Sequence, residues 1–130
     1  YVKEHNISSQ VKFLGAVGDT HDILKDSDVF ILTSITEALP LSVIEAMAMG
    51  LPCILTDVGG NSEIVDHGQA GYLVNVGDYS AIAKHLEFIG KNPEIRKEMG
   101  IAARKKAETK FDFKTMVDKY VSLFENLVNK

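Results

Sequence analysis

Val29-Phe30-Ile31-Leu32-Thr33-Ser34-Ile35-Thr36-Glu37-Ala38-Leu39-Pro40-Leu41-Ser42-Val43-Ile44-Glu45-Ala46-Met47-Ala48-Met49-Gly50-Leu51-Pro52-Cys53-Ile54-Leu55-Thr56 is the stretch that decides the fold. Residues 29–32 at one end form a continuous apolar run, as expected of a strand covered on both faces. Residues 53–56 at the other end predict a second such strand. Between them Pro40 opens a helical stretch to about Met49, and Gly50 and Pro52 close it. Strand, helix and strand in that order predict a parallel sheet, whose ligands gather at the carboxyl ends of its strands.

On the amino-terminal side, Val11-Lys12-Phe13-Leu14 predicts an earlier strand stopped by Gly15, and a short helical stretch is expected at 21–25. The polar residues before it fit the tail of a preceding helix. On the carboxyl side, a loop at 57–61 holds Gly59 and Gly60, a helical turn covers 62–66, and 72–74 predicts a brief fourth strand. Asp78 predicts the cap of a helix reaching about Ile89, and Asn92-Pro93 the cap and first-turn proline of another ending near Lys110. The last segment repeats Phe113, Met116, Val117, Tyr120, Leu123, Phe124, Leu127 and Val128 at three- and four-residue steps. Such a stripe is expected to lie against another surface. The fold class expected over residues 1–130 is therefore α/β: one Rossmann-like domain with a parallel sheet and flanking helices.

At 130 residues, 45% apolar and 25% charged, the chain can bury one core and has the balance of a globular protein. Its longest apolar stretches are broken by Pro40, Ser42 and Glu45 and fall short of the roughly 20 residues that span a bilayer. The opening Tyr1-Val2-Lys3-Glu4-His5 has neither a start methionine nor the order of a secretory signal, and reads as a cut rather than a beginning. Cys53 is the single cysteine, which excludes an internal disulfide and suits a reducing, cytoplasmic setting; packing is its expected role. Residues 1–80 hold 3 basic and 11 acidic side chains, and residues 81–130 hold 11 and 7. The basic carboxyl-terminal part fits either solvated helix faces or a contact with anionic lipid or another domain. No nucleic-acid partner is expected. His5, His21, His67 and His85 are far apart and share no ligand spacing with Cys53, so no metal is expected.

The chemistry is expected where the first strand of the decisive stretch meets its helix. A helix N-terminus presents unpaired N–H groups and partial positive charge, which makes the start near Pro40 a receptor for phosphate. Glu37 stands just before it. Glu45 lies five residues inside, about 7.5 Å further along the axis. Leu41, Val43, Ile44, Ala46, Met47, Ala48 and Met49 leave that helix apolar almost all round, so Glu45 is expected to need donors such as a ribose diol. Taken alone, Glu45 also fits a narrow solvent-facing edge and Glu37 a simple contact with the helix dipole. Gly59-Gly60-Asn61 fits a tight turn or a phosphate cradle, and Thr56 and Asp57 a strand end.

In Glu37 and Glu45 the chain resembles the retaining GT-B glycosyltransferases of the family-4 type, whose signature is Glu-x7-Glu at a Glu-Gly-Phe-Pro-like helix start. The resemblance continues through Val11-Lys12-Phe13-Leu14-Gly15, Asp28-Val29-Phe30, Gly50-Leu51-Pro52, Thr56-Asp57-Val58-Gly59-Gly60 and Gly68-Gln69-Ala70-Gly71-Tyr72-Leu73-Val74. It implies the C-terminal, donor-binding half of an enzyme that moves a sugar from a nucleoside diphosphate to an acceptor hydroxyl with retained configuration. By that resemblance Glu45 holds the ribose, Glu37 faces the donor sugar as the catalytic carboxylate, and the N–H groups around Ala38, Leu39 and Leu41 receive the diphosphate. Gly15, Val17 and Asp19 border the base. The resemblance also implies a nucleoside-diphosphate sugar as partner, no metal, and a cytoplasmic enzyme with peripheral contact at the inner membrane face. The arginine and lysine that neutralise diphosphate in similar enzymes, and the domain for an acceptor sugar or glycolipid, would lie outside these residues, so the chain by itself is expected to bind donor without turnover.

Ala38 stands where the family has glycine, and Leu39 where phenylalanine is common. A Cβ at position 38 would be strained if the backbone there needed a positive φ. Two other readings share the architecture: a sugar-nucleotide epimerase, and a binding module that has lost turnover.

Overall fold

The computed structural model describes residues 1–128. Along the chain it holds α1 (His21–Lys25), β1 (Phe30–Leu32), α2 (Leu41–Ala48), β2 (Cys53–Thr56), α3 (Asn61–Ile64), β3 (Gly71–Val74), α4 (Tyr79–Lys91), α5 (Pro93–Lys110) and α6 (Phe113–Val128). The strands form one parallel sheet in the order β1-β2-β3, with Phe30 opposite Cys53 and Cys53 opposite Gly71. All three carboxyl ends therefore open on one edge of the domain. The α/β class, the parallel pairing and the helix between β1 and β2 agree with the sequence reading.

The middle strand carries both cores. All of β2 is buried, and its alternation sends Cys53 and Leu55 to one face and Ile54 to the other. On the first face they meet Val43, Ala46 and Met47 of α2 and Ala103 and Ala107 of α5. On the second, Ile54 meets Val74, Ile89 of α4 and Met99. Burial on both faces is why these strands read as unbroken apolar runs. α2 and α5 cross at two glycines: a β-carbon at position 100 would stand 2.2 Å from the Gly50 carbonyl oxygen, so only glycine permits this approach.

Local signals set both ends of α4 and the start of α5. The Asp78 side chain accepts from the Ala81 N–H at 2.9 Å, as its capping position predicts. Asn92 occupies the cap position of α5, but its Nδ2 donates backwards to the Phe88 carbonyl at 2.7 Å and closes α4 instead. Pro93 starts α5 without that help.

Two expectations need correction. Residues 11–14 form no strand: their backbone makes no hydrogen bond among the described residues, and Phe13 is 81% exposed. An apolar run becomes a strand only where a neighbour accepts its hydrogen bonds, and here the sheet stops at β1. The stripe of α6 is left largely uncovered among the described residues: no residue of that helix is buried. Its regularity specified a helix with one apolar face without specifying what covers it.

Candidate active site

The loop from β1 to α2 carries Glu37 on the sheet edge where the strands end. α2 starts after Pro40, whose extended backbone (φ −70°, ψ 112°) turns the chain into the helix without a side-chain cap and with no acidic residue in the first turn. The N–H groups of Ala38, Leu39, Leu41 and Ser42 find no partner among the described residues. Leu41 is 69% exposed. This mouth is thus a row of main-chain donors at the positive end of a helix dipole, open to an anion.

Glu37 is half-buried, and its Oε1 accepts from the Ser34 hydroxyl at 2.6 Å. Ser34 is itself held: its carbonyl accepts from the Thr56 hydroxyl at 2.6 Å. The carbonyl of Thr56 in turn accepts from Asn61 Nδ2 at 2.8 Å. Thr56 and Asn61 are buried, and Asn61 Oδ1 has no protein partner among the described residues. The loop after β2 closes on the same segment through its main chain. The Gly60 N–H donates to the Ala38 carbonyl at 2.9 Å. At Gly59, with φ +52°, a β-carbon would stand 1.7 Å from the Glu37 carbonyl oxygen. Gly59 and Gly60 therefore do more than turn the chain; they let two loops touch.

Ala38 is free of the strain its side chain could have caused, because Asn6 is the only non-glycine residue with positive φ among the described residues. Glu45 differs from expectation. It is exposed on the edge of α2 that also shows Leu41, Ser42 and Ala48, so the helix is not apolar all round and Glu45 is not a buried carboxylate. The residue identities misled because the small Ala48 and the terminal Leu41 sit on the solvent side. Glu45 nevertheless lines a cleft of about 290 Å³ with Asp19, Thr20, His21, Leu24, Ala48 and Met49. Asp19 Oδ1 accepts from the His21 N–H at 2.9 Å, which turns the chain into α1 at the cleft wall. Gly15 and Val17 are exposed and outside the residues that line this cleft.

The structure thus gathers Glu37, Ala38, Leu39 and Leu41 at the helix mouth and Glu45 with Asp19 in the adjoining cleft. Sequence reasoning missed Ser34 and His21, and it read Asn61 only as part of a turn or phosphate cradle rather than as a donor to the Thr56 carbonyl. A Ser-x-x-Glu spacing at 34–37, elsewhere the mark of a capping box, was the available signal for Ser34. It also missed that His67 and His85 meet around Tyr72, with Tyr72 and His85 stacked at 3.9 Å. His67 Nδ1 accepts from the Leu73 N–H at 3.0 Å. Burial lowers the pKa of His85, the neighbouring His67 lowers it further, and Asp78 opposes both. No set of three metal-ligand side chains assembles among the described residues.

Residues 1–106 match the family model for glycosyl transferases group 1. N-acetyl-alpha-D-glucosaminyl L-malate synthase of Bacillus anthracis is 35% identical over 127 residues, which is 98% of this chain and 33% of that protein. The chain thus spans about a third of the length of that relative. The C-terminal domain of the group 1 glycosyl transferase LpcC of Francisella tularensis superposes with a TM-score of 0.78 at 26% identity, over 86% of this chain and 59% of that one. HepE of Anabaena, solved in complex with UDP-glucose, shares the fold with a TM-score of 0.90 at 24% identity, over 96% of this chain and 35% of its own.

Proposed function

The chain belongs to the group 1 glycosyl transferases, and from that premise we propose that it is the donor-binding, C-terminal half of a retaining enzyme using a nucleoside-diphosphate sugar. The observation that carries this reading is the uncapped start of α2, with Glu37 outside it and Glu45 one cleft away. The diphosphate lies on the N–H groups of Ala38, Leu39 and Leu41, where hydrogen bonds to an anion are charge-assisted. As the donor's glycosidic bond breaks, negative charge grows on the departing diphosphate, and fixed dipoles aimed there lower the barrier. Glu45 accepts from the two ribose hydroxyls, and its exposure on the cleft wall leaves its oxygens open to them. Asp19 and His21 border the base. Glu37, oriented by Ser34, faces the donor sugar, and transfer to an acceptor hydroxyl needs the remainder of the protein. The single buried cysteine suits a cytoplasmic site of action, with the acceptor presented at the inner membrane face.

Calorimetric titration of the full-length protein with uridine, guanosine, adenosine and thymidine diphosphates, and with their sugars, tests the reading. One nucleotide binds, and Glu45→Ala weakens it by about 1.5–3 kcal/mol, as for hydrogen bonds to a charged acceptor. Glu37→Ala leaves bare nucleotide affinity near wild type and removes turnover. Unchanged nucleotide affinity in Glu45→Ala refutes the ribose role, and an epimerised nucleotide sugar formed without acceptor refutes transfer.

A further inference from the structure

We infer that Thr56 and Ser34 are positioning residues for the Glu37 carboxylate, joined in a single relay that runs from the end of β2 across to the loop after β1. The inference rests on the reading of Glu37 as the group facing the donor sugar and adds what holds it there. Three hydrogen bonds carry it: Ser34 hydroxyl to Glu37 Oε1 at 2.6 Å, Thr56 hydroxyl to Ser34 carbonyl at 2.6 Å, and Asn61 Nδ2 to Thr56 carbonyl at 2.8 Å.

Both O–H bonds are at the short end of the range for hydroxyl donors. A hydroxyl has one proton to give. Thr56 is 1% exposed, so its proton has no competing water and goes to Ser34 alone. Ser34 is fixed at its carbonyl by Thr56 and spends its own proton on Glu37, so the main chain and the side chain of one residue are locked together. Oε1 of Glu37 is thereby engaged, while Oε2 makes no hydrogen bond or ion pair among the described residues and is the oxygen left for a ligand. The loop is already tethered through main chain by the Gly60 N–H on the Ala38 carbonyl. The Thr56 bond is additional to that tether and falls on the one residue that touches the carboxylate. A carboxylate on a loop gains precision from such support, because a misplacement of about 1 Å at a reacting centre costs about 100-fold in rate.

The test uses the full-length protein and the nucleoside diphosphate and sugar that bind it best in the titration above. Ser34→Ala and Thr56→Val are expected to lower kcat by about 10- to 100-fold, with affinity for the bare nucleoside diphosphate within about twofold of wild type. Thr56→Ser, which keeps the donor, restores kcat to within about threefold. Thermal melting accompanies each variant, and Ser34→Ala, at a half-buried position, decides the matter if Thr56→Val does not fold. A wild-type rate in Ser34→Ala, an equal loss of nucleotide affinity and turnover, or a Thr56→Ser variant as slow as Thr56→Val overturns the inference. A wild-type protein that binds no nucleotide and transfers no sugar refutes the reading of Glu37, and this inference with it. An active wild type with unaffected variants refutes the relay alone.

Discussion

Gly100 in α5 and Gly50 after α2 touch main chain to main chain, at a distance that leaves 2.2 Å between a β-carbon on the first and the carbonyl oxygen of the second. The contact brings α5 onto α2, the helix whose uncapped start is proposed to receive the diphosphate.

Gly100→Ala is therefore expected to destabilise the protein by about 1–3 kcal/mol, the range for overpacking a close contact. Gly90, in α4, has open space where a β-carbon would go. Gly90→Ala should stabilise by about 0.5–1 kcal/mol, because alanine loses less backbone entropy in a helix. Urea denaturation of the two variants should displace the midpoint in opposite directions, and a shared direction would refute the crossing.

Gly59→Ala meets the Glu37 carbonyl at 1.7 Å and places an L side chain at φ +52°. The two loops must separate, at a cost of about 1–3 kcal/mol. Transfer activity should fall further than stability, since the displaced segment carries Glu37. A variant that melts early but keeps full turnover per folded molecule would contradict the placement of that segment.

Acid should weaken the fold through His85. Burial and the nearby His67 lower its pKa from the ordinary 6.5, Asp78 pulls the other way, and Tyr72 stacks on the ring. A base with a depressed folded pKa takes up protons more readily when unfolded, so its stabilisation is complete above about 6.5 and declines as the pH falls through that value. Urea midpoints measured from pH 7.5 to pH 5.5 should fall, and the slope should be shallower in His85→Phe. Parallel slopes in the two proteins would exclude this residue as the cause.

Cys53 should resist thiol reagents in the native state. It is buried in β2, its Sγ lies 3.5 Å from the Leu51 carbonyl, and burial pushes its pKa up to about 12. The thiolate is the reactive form, so labelling should follow unfolding. Rapid modification of the folded protein by a disulfide reagent would contradict this environment.

The βαβ unit was legible because β1, α2 and β2 each carry a strong local signal: apolar runs, a proline start and a glycine-proline stop. The capping role of Asp78 was legible for the same reason. Residues 11–14 have equally strand-like chemistry, yet pairing is a property of neighbours, which a single segment does not encode. Glu45 was read as enclosed because residue types were counted around a wheel; which edge of the wheel met solvent depended on where α1 and α5 pack. Glu37 and Glu45 stood out by their spacing, whereas Thr56 at the end of β2 and Ser34 just after β1, 22 residues apart, meet only because those strands are paired in parallel.

The contact between the Gly60 amide and the Ala38 carbonyl has an evolutionary corollary. Since one polypeptide backbone grips another there, the contact constrains Gly59 and Gly60, where a β-carbon would collide, and makes no use of the side chains it faces. Side chains at 38, 39 and 41 can drift while the amides beneath them keep their orientation, so preference can diversify on an invariant frame.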